Sequence, residues 1–385
     1  MRIVHTCLRY PPATGGVETY VRELVKRTRS IAQNIDVRVL TSKMRTHGPI
    51  TELSPDRLLY DPPYVQRLHH LATPLVSYPR LQALNYYLGH HQPDLVHAYS
   101  FWYQPADTTA RWCAKHHRPF IFHPMYYESA NRRKLSWQIY KKTIGYRTFA
   151  AADAVVVISP FEQSLITRAG FPVKRFHLIP PGVDLSEFQS AAPNPFQSSP
   201  PGTPTLLCVS RLSADKSLQD IISVLPDILH AAPTARLFIV GEDFGYVSEL
   251  SAQVERLGLA AHVRLLGHLS RRELIGAYQH ADLFIHPSKY EAFGIVIAEA
   301  VAAHLPVIAR DAAAIPYVAP HNHSALLFHN NHELTQHILS LIKHNELARE
   351  LADRAYERLI TNFTWDIAQK KVIDLYTEFS AKINH

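Results

Sequence analysis

The chain has 385 residues, 46% of them hydrophobic, and a formal net charge of +7. That length predicts two domains of about 150–200 residues each, and the apolar fraction excludes global disorder. Three isolated cysteines, Cys7, Cys113 and Cys208, form no Cys-x-x-Cys pair, which excludes a structural zinc site and points to a reducing compartment. The excess positive charge suits an anionic partner without choosing among nucleotide, phospholipid surface and nucleic acid. Met1–Cys7 is too briefly apolar for a signal peptide, and no run approaches the ~18 residues of a membrane span. The expectation is a cytoplasmic protein, or one peripheral to the inner membrane face.

Arg2–Leu8 reads as a first strand, Tyr10–Gly16 as a turn-rich loop, and Val17–Val25 as a helix with Val17, Val21, Leu24 and Val25 on one face. Strand, glycine loop and helix can cradle a phosphate in that order. The loop is neither Gly-x-Gly-x-x-Gly nor a P-loop, however, so Gly15-Gly16 also reads as a plain turn. Glu18 either complements the helix N-terminus or meets a substrate. Short apolar runs recur at 36–40, 94–98, 120–123 and 154–158, with helical segments between several of them, which predicts a doubly wound parallel sheet. His123 closes one of these strands just before Pro124, where a histidine ordinarily serves packing or a turn hydrogen bond.

Between Asn131 and Ala152, six cations (Arg132, Arg133, Lys134, Lys141, Lys142 and Arg147) occur with no acidic residue, and Trp137, Tyr140 and Ile144 fall on one helical face. The basic 131–150 segment reads either as a contact for an anionic membrane surface or as a solvated helix packed by one face on the sheet. Nucleic acid is not expected as a partner, because no RNP, zinc-finger or helix-turn-helix pattern accompanies the charge.

Phe176–Asp184 reads as a strand and a turn. The stretch 185–204 is rich in Pro, Ser, Gln and Asn without a period, and reads as a linker. It separates a domain at 1–184 from a second at 205–364, with a last helical segment at 365–385. Thr205–Ser210 opens a second βαβ series. Arg211 and Lys216 follow at the mouth of that strand, before a helix starting near Ser217. That placement suits a diphosphate, since Arg offers a bidentate fork and Lys a mobile point charge; alone, the pair also reads as surface charge. Further strands are expected at 236–242 and 263–267.

Asp282–His286 reads as a buried parallel strand ended by Pro287 and Ser288. After Gly294 comes a run of helix formers with one charge, Glu299. Burying a lone carboxylate there costs on the order of several kcal/mol unless it is hydrogen-bonded, and ligand hydroxyls are one candidate. Glu291 either shares that helix, about 80° around it from Glu299, or lies in the strand-to-helix loop. Strand ends and helix N-termini are where open α/β sheets bind ligands, so the N–H groups of Ala292, Phe293, Gly294 and Ile295 would meet an anion or a sugar hydroxyl. The plain alternative is a structurally paired Glu299 and an exposed Glu291.

The run Pro287-Ser-x-x-Glu291…Phe293-Gly294…Glu299-Ala300, followed by Leu305-Pro-Val-Ile-Ala309, resembles the donor-site signature of glycosyltransferase family 4, with its Glu-x7-Glu spacing. The Gly15-Gly16-x-Glu18 loop, Phe122-His123-Pro124, Pro180-x-Gly182-Val183-Asp184 and Ser210-Arg-Leu…Lys216 are similar to further motifs of that family. The resemblance implies an α/β chain of GT-B fold, two Rossmann-like doubly wound domains facing each other across a cleft. The N-terminal domain would take the acceptor and the C-terminal domain the nucleotide sugar, and the last helix would cross back to the first domain. The implied activity is retaining transfer of a hexose-type sugar from a UDP- or GDP-linked donor to a hydroxyl of a lipid-linked, glycolipid or polysaccharide acceptor. Arg211 and Lys216 would then stabilise the leaving diphosphate. His123 would lie near the sugar and diphosphate, and Gly15 and Gly16 would face the diphosphate. Glu291 would hold sugar hydroxyls and Glu299 the ribose, while N–H groups near Gly16 and Gly294, the latter among those of Ala292, Phe293, Gly294 and Ile295, would help meet the diphosphate charge. No cofactor or metal is expected, the nucleotide sugar being a substrate. Ser217, Ala292 and His304 stand where the family commonly has glycine, and Tyr317 where it has Glu; these departures bear on sugar specificity rather than on fold. The alternatives are another GT-B enzyme, such as a nucleotide-sugar epimerase or a phosphorylase, and a non-catalytic polyanion- or membrane-surface-binding protein of the same fold.

Overall fold

The computed structural model describes residues 1–13, 15–32, 34–44, 61–73, 78–128, 135–196 and 202–383. They divide into two units, Met1–Pro180 with Ala368–His385, and Pro181–Ile367.

The first unit contains β1 (Arg2–Thr6), β2 (Asp36–Ser42), β3 (Val65–Leu68), a short antiparallel pair β4 (His70–Leu71) and β5 (Arg80–Leu81), then β6 (Leu95–Tyr99), β7 (Phe120–His123), β8 (Ala154–Val157) and β9 (Phe176–Leu178). Its main sheet runs β3-β2-β1-β6-β7-β8-β9 and is parallel throughout. Helices cover both faces of such a sheet, so its inner strands read as unbroken apolar runs; all four residues of β8 are buried. The helix Gly16–Ile31 turns Tyr20, Val21, Leu24 and Val25 inward. From Ala368 onward the last helix, Trp365–Ile383, belongs to this unit. It is pinned by Tyr376, whose hydroxyl is 2.8 Å from His97 Nδ1, and by Gln369, which donates to Thr28 at 2.8 Å.

The basic segment departs from the expected single helix. Arg132, Arg133 and Lys134 lie outside the described residues. Beyond them the chain forms α-helix Leu135–Tyr140, a π-turn Lys141–Gly145 and α-helix Tyr146–Ala151. The π-turn takes up an extra residue, so Ile144 drifts off the face shared by Trp137 and Tyr140. Those two rings are buried and Ile144 is exposed.

The second unit contains β10 (Thr205–Val209), β11 (Arg236–Val240), β12 (Val263–Gly267), β13 (Leu283–His286), β14 (Val307–Arg310) and β15 (Leu326–Phe328). The order β12-β11-β10-β13-β14-β15 is a doubly wound parallel sheet. The chain winds outward from β10, then returns past it to β13 and winds outward the other way. The crevice above the β10 and β13 strand ends is therefore the topological switch point, the usual ligand position in open sheets.

The division between units falls after Pro180 rather than after Asp184, and the described part of 185–204 is packed, not an open linker. Leu185–Phe188 forms a 3-10 turn capped by Asp184, and Phe188 and Phe196 are buried. The Phe196 ring lies 4.3 Å from that of Phe238, while Gln279 donates to the carbonyls of Phe188 and Ser190. Two aromatics thus anchor a stretch whose polar composition suggested none. Among the described residues no helix is long and apolar enough to cross a membrane.

Candidate active site

The switch point brings together the loop after β10 and the loop after β13. After β10 the chain passes Arg211, makes a short 3-10 turn Ala214–Lys216, and enters the helix Leu218–Ala231 through Ser217 at φ 54°. That left-handed conformation is one that glycine adopts without the strain a side chain brings. Lys216 is buried, and its Nζ donates to Glu291 Oε1 at 2.7 Å. Arg211 is exposed; its guanidinium lies 3.8 Å from Asp215 and 5.3 Å from the centre of the Phe244 ring. A cation on an exposed stem beside one already placed is a suitable pair for a diphosphate.

Glu291 lies in the loop and Glu299 on the helix Ile295–Ala302, which decides between the two arrangements the spacing allowed. Gly294, at φ 96°, makes the turn into that helix. Phe293 is buried against Phe363, with ring centres 5.4 Å apart, and holds the turn down. The N–H groups of Ile295 and Val296, at the start of the helix, have no partner within it, whereas that of Ile297 donates to the Gly294 carbonyl at 3.0 Å. The Glu291 carbonyl accepts from Ala314 N–H at 3.1 Å, so the loop is fixed at the residue that matters. Its carboxylate meets both Lys216 and the fully buried His286, whose Nε2 is 3.1 Å away. Burial alone would raise the Glu291 carboxyl, but the bond and charge of His286, followed by those of Lys216, win and hold it at about 2. Both partners sit on Oε1; among the described residues Oε2 has none, which leaves that oxygen able to accept from a hydroxyl.

Glu299 is not waiting for a ligand as its only partner. Oε1 accepts from Arg271 at 2.5 Å and Oε2 from the Tyr278 hydroxyl at 3.1 Å. Arg271 also reaches Glu187 at 2.5 Å. A carboxylate has about four acceptor positions, so Glu299 retains capacity for a diol.

The remaining predicted residues lie in the first unit, at the C-terminal ends of β1 and β7. Gly15 and Gly16 precede and begin the first helix. A Cβ at Gly15 would stand 2.1 Å from Glu18 Oε2, whereas one at Gly16 would meet nothing within 4 Å. Glu18 itself is buried and paired with Arg9, with Nε to Oε1 at 2.6 Å, a partner the sequence did not suggest. His123 is fully buried, stacked on Tyr99 and His97 and edge-on to Tyr20. Burial pushes it down to about 3, so its imidazole is neutral at pH 7. Neither ring nitrogen has a hydrogen-bond partner among the described residues.

The sequence reading missed His286, Arg271 and Tyr278. With 24 histidines in the chain, one at a strand end carries no signal of its own. Arg271 follows Ser270, the N-cap of a capping box with Glu273, and looks like ordinary helix charge. Among the described residues, no group of three or more His, Cys, Asp or Glu is arranged to hold a metal ion.

Residues 14–187 match the family described as Glycosyltransferase Family 4, and residues 193–358 the family described as Glycosyl transferases group 1. A GDP-mannose-dependent alpha-(1-6)-phosphatidylinositol monomannoside mannosyltransferase of Mycobacterium tuberculosis is 27% identical over 58% of this chain; the chain spans 61% of that relative's own length. A D-inositol 3-phosphate glycosyltransferase of Streptomyces bingchenggensis is 25% identical over 98% of this chain and 88% of its own length. The solved structure of Anabaena HepE in complex with UDP shares the fold with a TM-score of 0.80 at 21% identity, over 98% of this chain and 100% of that one.

Proposed function

The chain belongs to the glycosyltransferases of family 4, with two Rossmann-like domains of the GT-B class, and from that premise we propose that it is a retaining glycosyltransferase. It moves a hexose-type sugar from a UDP- or GDP-linked donor to a hydroxyl of a lipid-linked, glycolipid or polysaccharide acceptor. The observation that carries this reading is the meeting of Lys216 and Glu291 above the β10–β13 switch point, with Arg211 exposed on the same loop as Lys216.

Breaking the bond between the anomeric carbon and phosphate puts negative charge on the leaving diphosphate, and the main catalytic demand is to meet that charge. Arg211 and Lys216 do so, with the N–H groups at the start of the helix Ile295–Ala302 in support. Lys216 moves from Glu291 toward the phosphate, while Glu291 stays ionised on His286 and offers Oε2 to a sugar hydroxyl. Glu299 takes the ribose diol. The acceptor hydroxyl attacks on the face the phosphate leaves, and the departing phosphate oxygen receives its proton. The mechanism calls for no metal, because the two cations supply the counter-charge. The roles of Gly15, Gly16 and His123 toward the donor belong to the same proposal.

The names of the mycobacterial and Streptomyces relatives support a hydroxyl acceptor on inositol or a phosphoinositide glycolipid. Lys141, Lys142 and Arg147 remain proposed contacts for an anionic membrane surface. A thermal-shift screen over UDP, GDP and their sugars tests donor binding, since a ligand of the native state raises the melting temperature by mass action. Release of nucleoside diphosphate that requires an acceptor separates transfer from epimerisation. No shift with any of these ligands would overturn the reading in favour of a non-catalytic surface-binding protein.

A further inference from the structure

Arg310 closes β14 with only 9% of its surface exposed. A buried guanidinium is costly unless its donors are used, and these are distributed over three segments. Nε donates to the Pro287 carbonyl at 2.9 Å, one Nη to Asp220 Oδ2 at 2.5 Å, and the other to the His329 carbonyl at 3.3 Å. The guanidinium lies over the Phe328 ring, 4.8 Å from its centre.

Two of these segments lead directly to the proposed donor site. Asp220 stands in the first turn of the helix Leu218–Ala231, and its N–H donates to the carbonyl of Ser217, next to Lys216. Pro287 follows β13 and opens the loop that carries Glu291. The strand β14 lies beyond β13 from β10, so a side chain from β14 must pass the β13 loop to reach the β10 side. Only a long, forked donor can hold both. Lysine has the length but a single charged point, and cannot bond the Pro287 carbonyl and Asp220 in one fixed geometry.

We propose that Arg310 is a positioning residue, a strap from β14 that sets the separation of Lys216 and Glu291 by tying the loop of each to the same guanidinium. The proposal rests on the donor-site reading of those two residues. It also gives Asp220 a counter-charge, so that this carboxylate does not oppose an anion bound beside Lys216.

The test uses the full chain with Arg310→Lys, and Asp220→Asn as a second variant should the first fail to fold. Hydrogen–deuterium exchange is followed at 211–217 and 287–294 against the strands β10–β15, and UDP and GDP are titrated by calorimetry. The expected result is faster exchange in both loops together, by about tenfold, with the strands unchanged. Nucleoside diphosphate affinity should fall about tenfold in the wild-type background and by clearly less in Lys216→Ala, because much of the strap's effect passes through Lys216. Unchanged exchange in the two loops overturns the strap, as does an affinity loss that is equally large with and without Lys216. If neither UDP nor GDP binds the wild-type chain, the functional reading falls, and the exchange result alone decides whether Arg310 holds the loops.

Discussion

Lys216 and Glu291 are 75 residues apart in sequence and 2.7 Å apart at their charged tips. Each side chain is at least four-fifths covered, and the carboxylate shares the contact oxygen with His286. A lysine bonded to a carboxylate is held near a site without being committed to it. If the site takes a diphosphate as proposed, that anion offers more negative charge than Glu291 and draws the ammonium away, while His286 still holds the Glu291 carboxyl low.

Lys216→Ala should therefore lower turnover by roughly 10²–10³-fold, the scale of losing one donor to a developing oxyanion, while the second unit still folds because Glu291 keeps His286. Arg211→Ala should cost a similar factor with no loss of melting temperature, since Arg211 is exposed and its ion pair with Asp215 is long. Steady-state kinetics with a defined donor, read beside a thermal melt, checks both; a wild-type rate in either variant would remove the diphosphate role.

Glu299 makes two contributions that one substitution confounds. Glu299→Gln loses the ion pair with Arg271 and also weakens any bond to a diol. Arg271→Ala separates them, because it removes the ion pair and leaves the carboxylate with Tyr278. If Glu299 binds ribose, Glu299→Gln should weaken nucleoside diphosphate binding about tenfold or more, as for hydrogen bonds to a charged group. Arg271→Ala should weaken it less. Equal losses by calorimetry would reduce Glu299 to a support for Arg271.

Most of the strands, and the placement of Arg211 and Lys216 in the loop after β10, were legible because both signals are local. A strand buried on both faces is an apolar run, as in Ala154–Val157, and the loop after β10 advertises its cations. The place of Glu291 was not legible, since eight residues before Glu299 fits one helix or a loop and a helix; the left-handed Gly294 decides it. Nor were the partners. His286, Arg271 and Arg310 act through contacts 5, 28 and 90 residues away, and their own neighbours in sequence carry no trace of this. The π-turn at Lys141–Gly145 has the same composition a continuous helix would have.

The departures at Ser217 and His304 make a paired prediction about stability. Both sit in the left-handed region, at φ 54° and 55°. Ser217 makes no side-chain cap bond to its helix, so Ser217→Gly should relieve backbone strain and lose only the packing of one small buried side chain. The net gain is about 0.5–1 kcal/mol after the entropy of glycine is subtracted. His304 stacks on Tyr356 with ring centres 3.9 Å apart, so His304→Gly should gain less or lose stability. Urea midpoints of the two variants check the order, and a destabilised Ser217→Gly would contradict the argument.

The first unit should lose stability on mild acidification. His5, His97 and His123 are fully buried. Burial lowers His5 and His123 to about 3 and His97 well below its usual value, helped at His97 by the other two imidazoles. Folded-state values below the unfolded ones mean that this stability is present above the unfolded histidine value of about 6.5 and is lost as pH falls. Glu162 works the other way. Burial raises it to about 7 against the N–H groups of Ile158 and Tyr126, so its contribution is complete below the unfolded value and is lost as pH rises to 7. Between the unfolded values of Glu and His the unfolded chain binds three more protons at the histidines and one fewer at Glu162. The net of two from these four groups gives a slope of about 3 kcal/mol per pH unit, and the lowering of His91 and His177 adds in the same direction. Chemical unfolding between pH 7.5 and 5 measures it. His123→Leu, which breaks no hydrogen bond among the described residues, should flatten the slope by one proton, and Glu162→Gln should steepen it by one. If the slope does not move in opposite directions in the two variants, these buried groups do not govern the acid response.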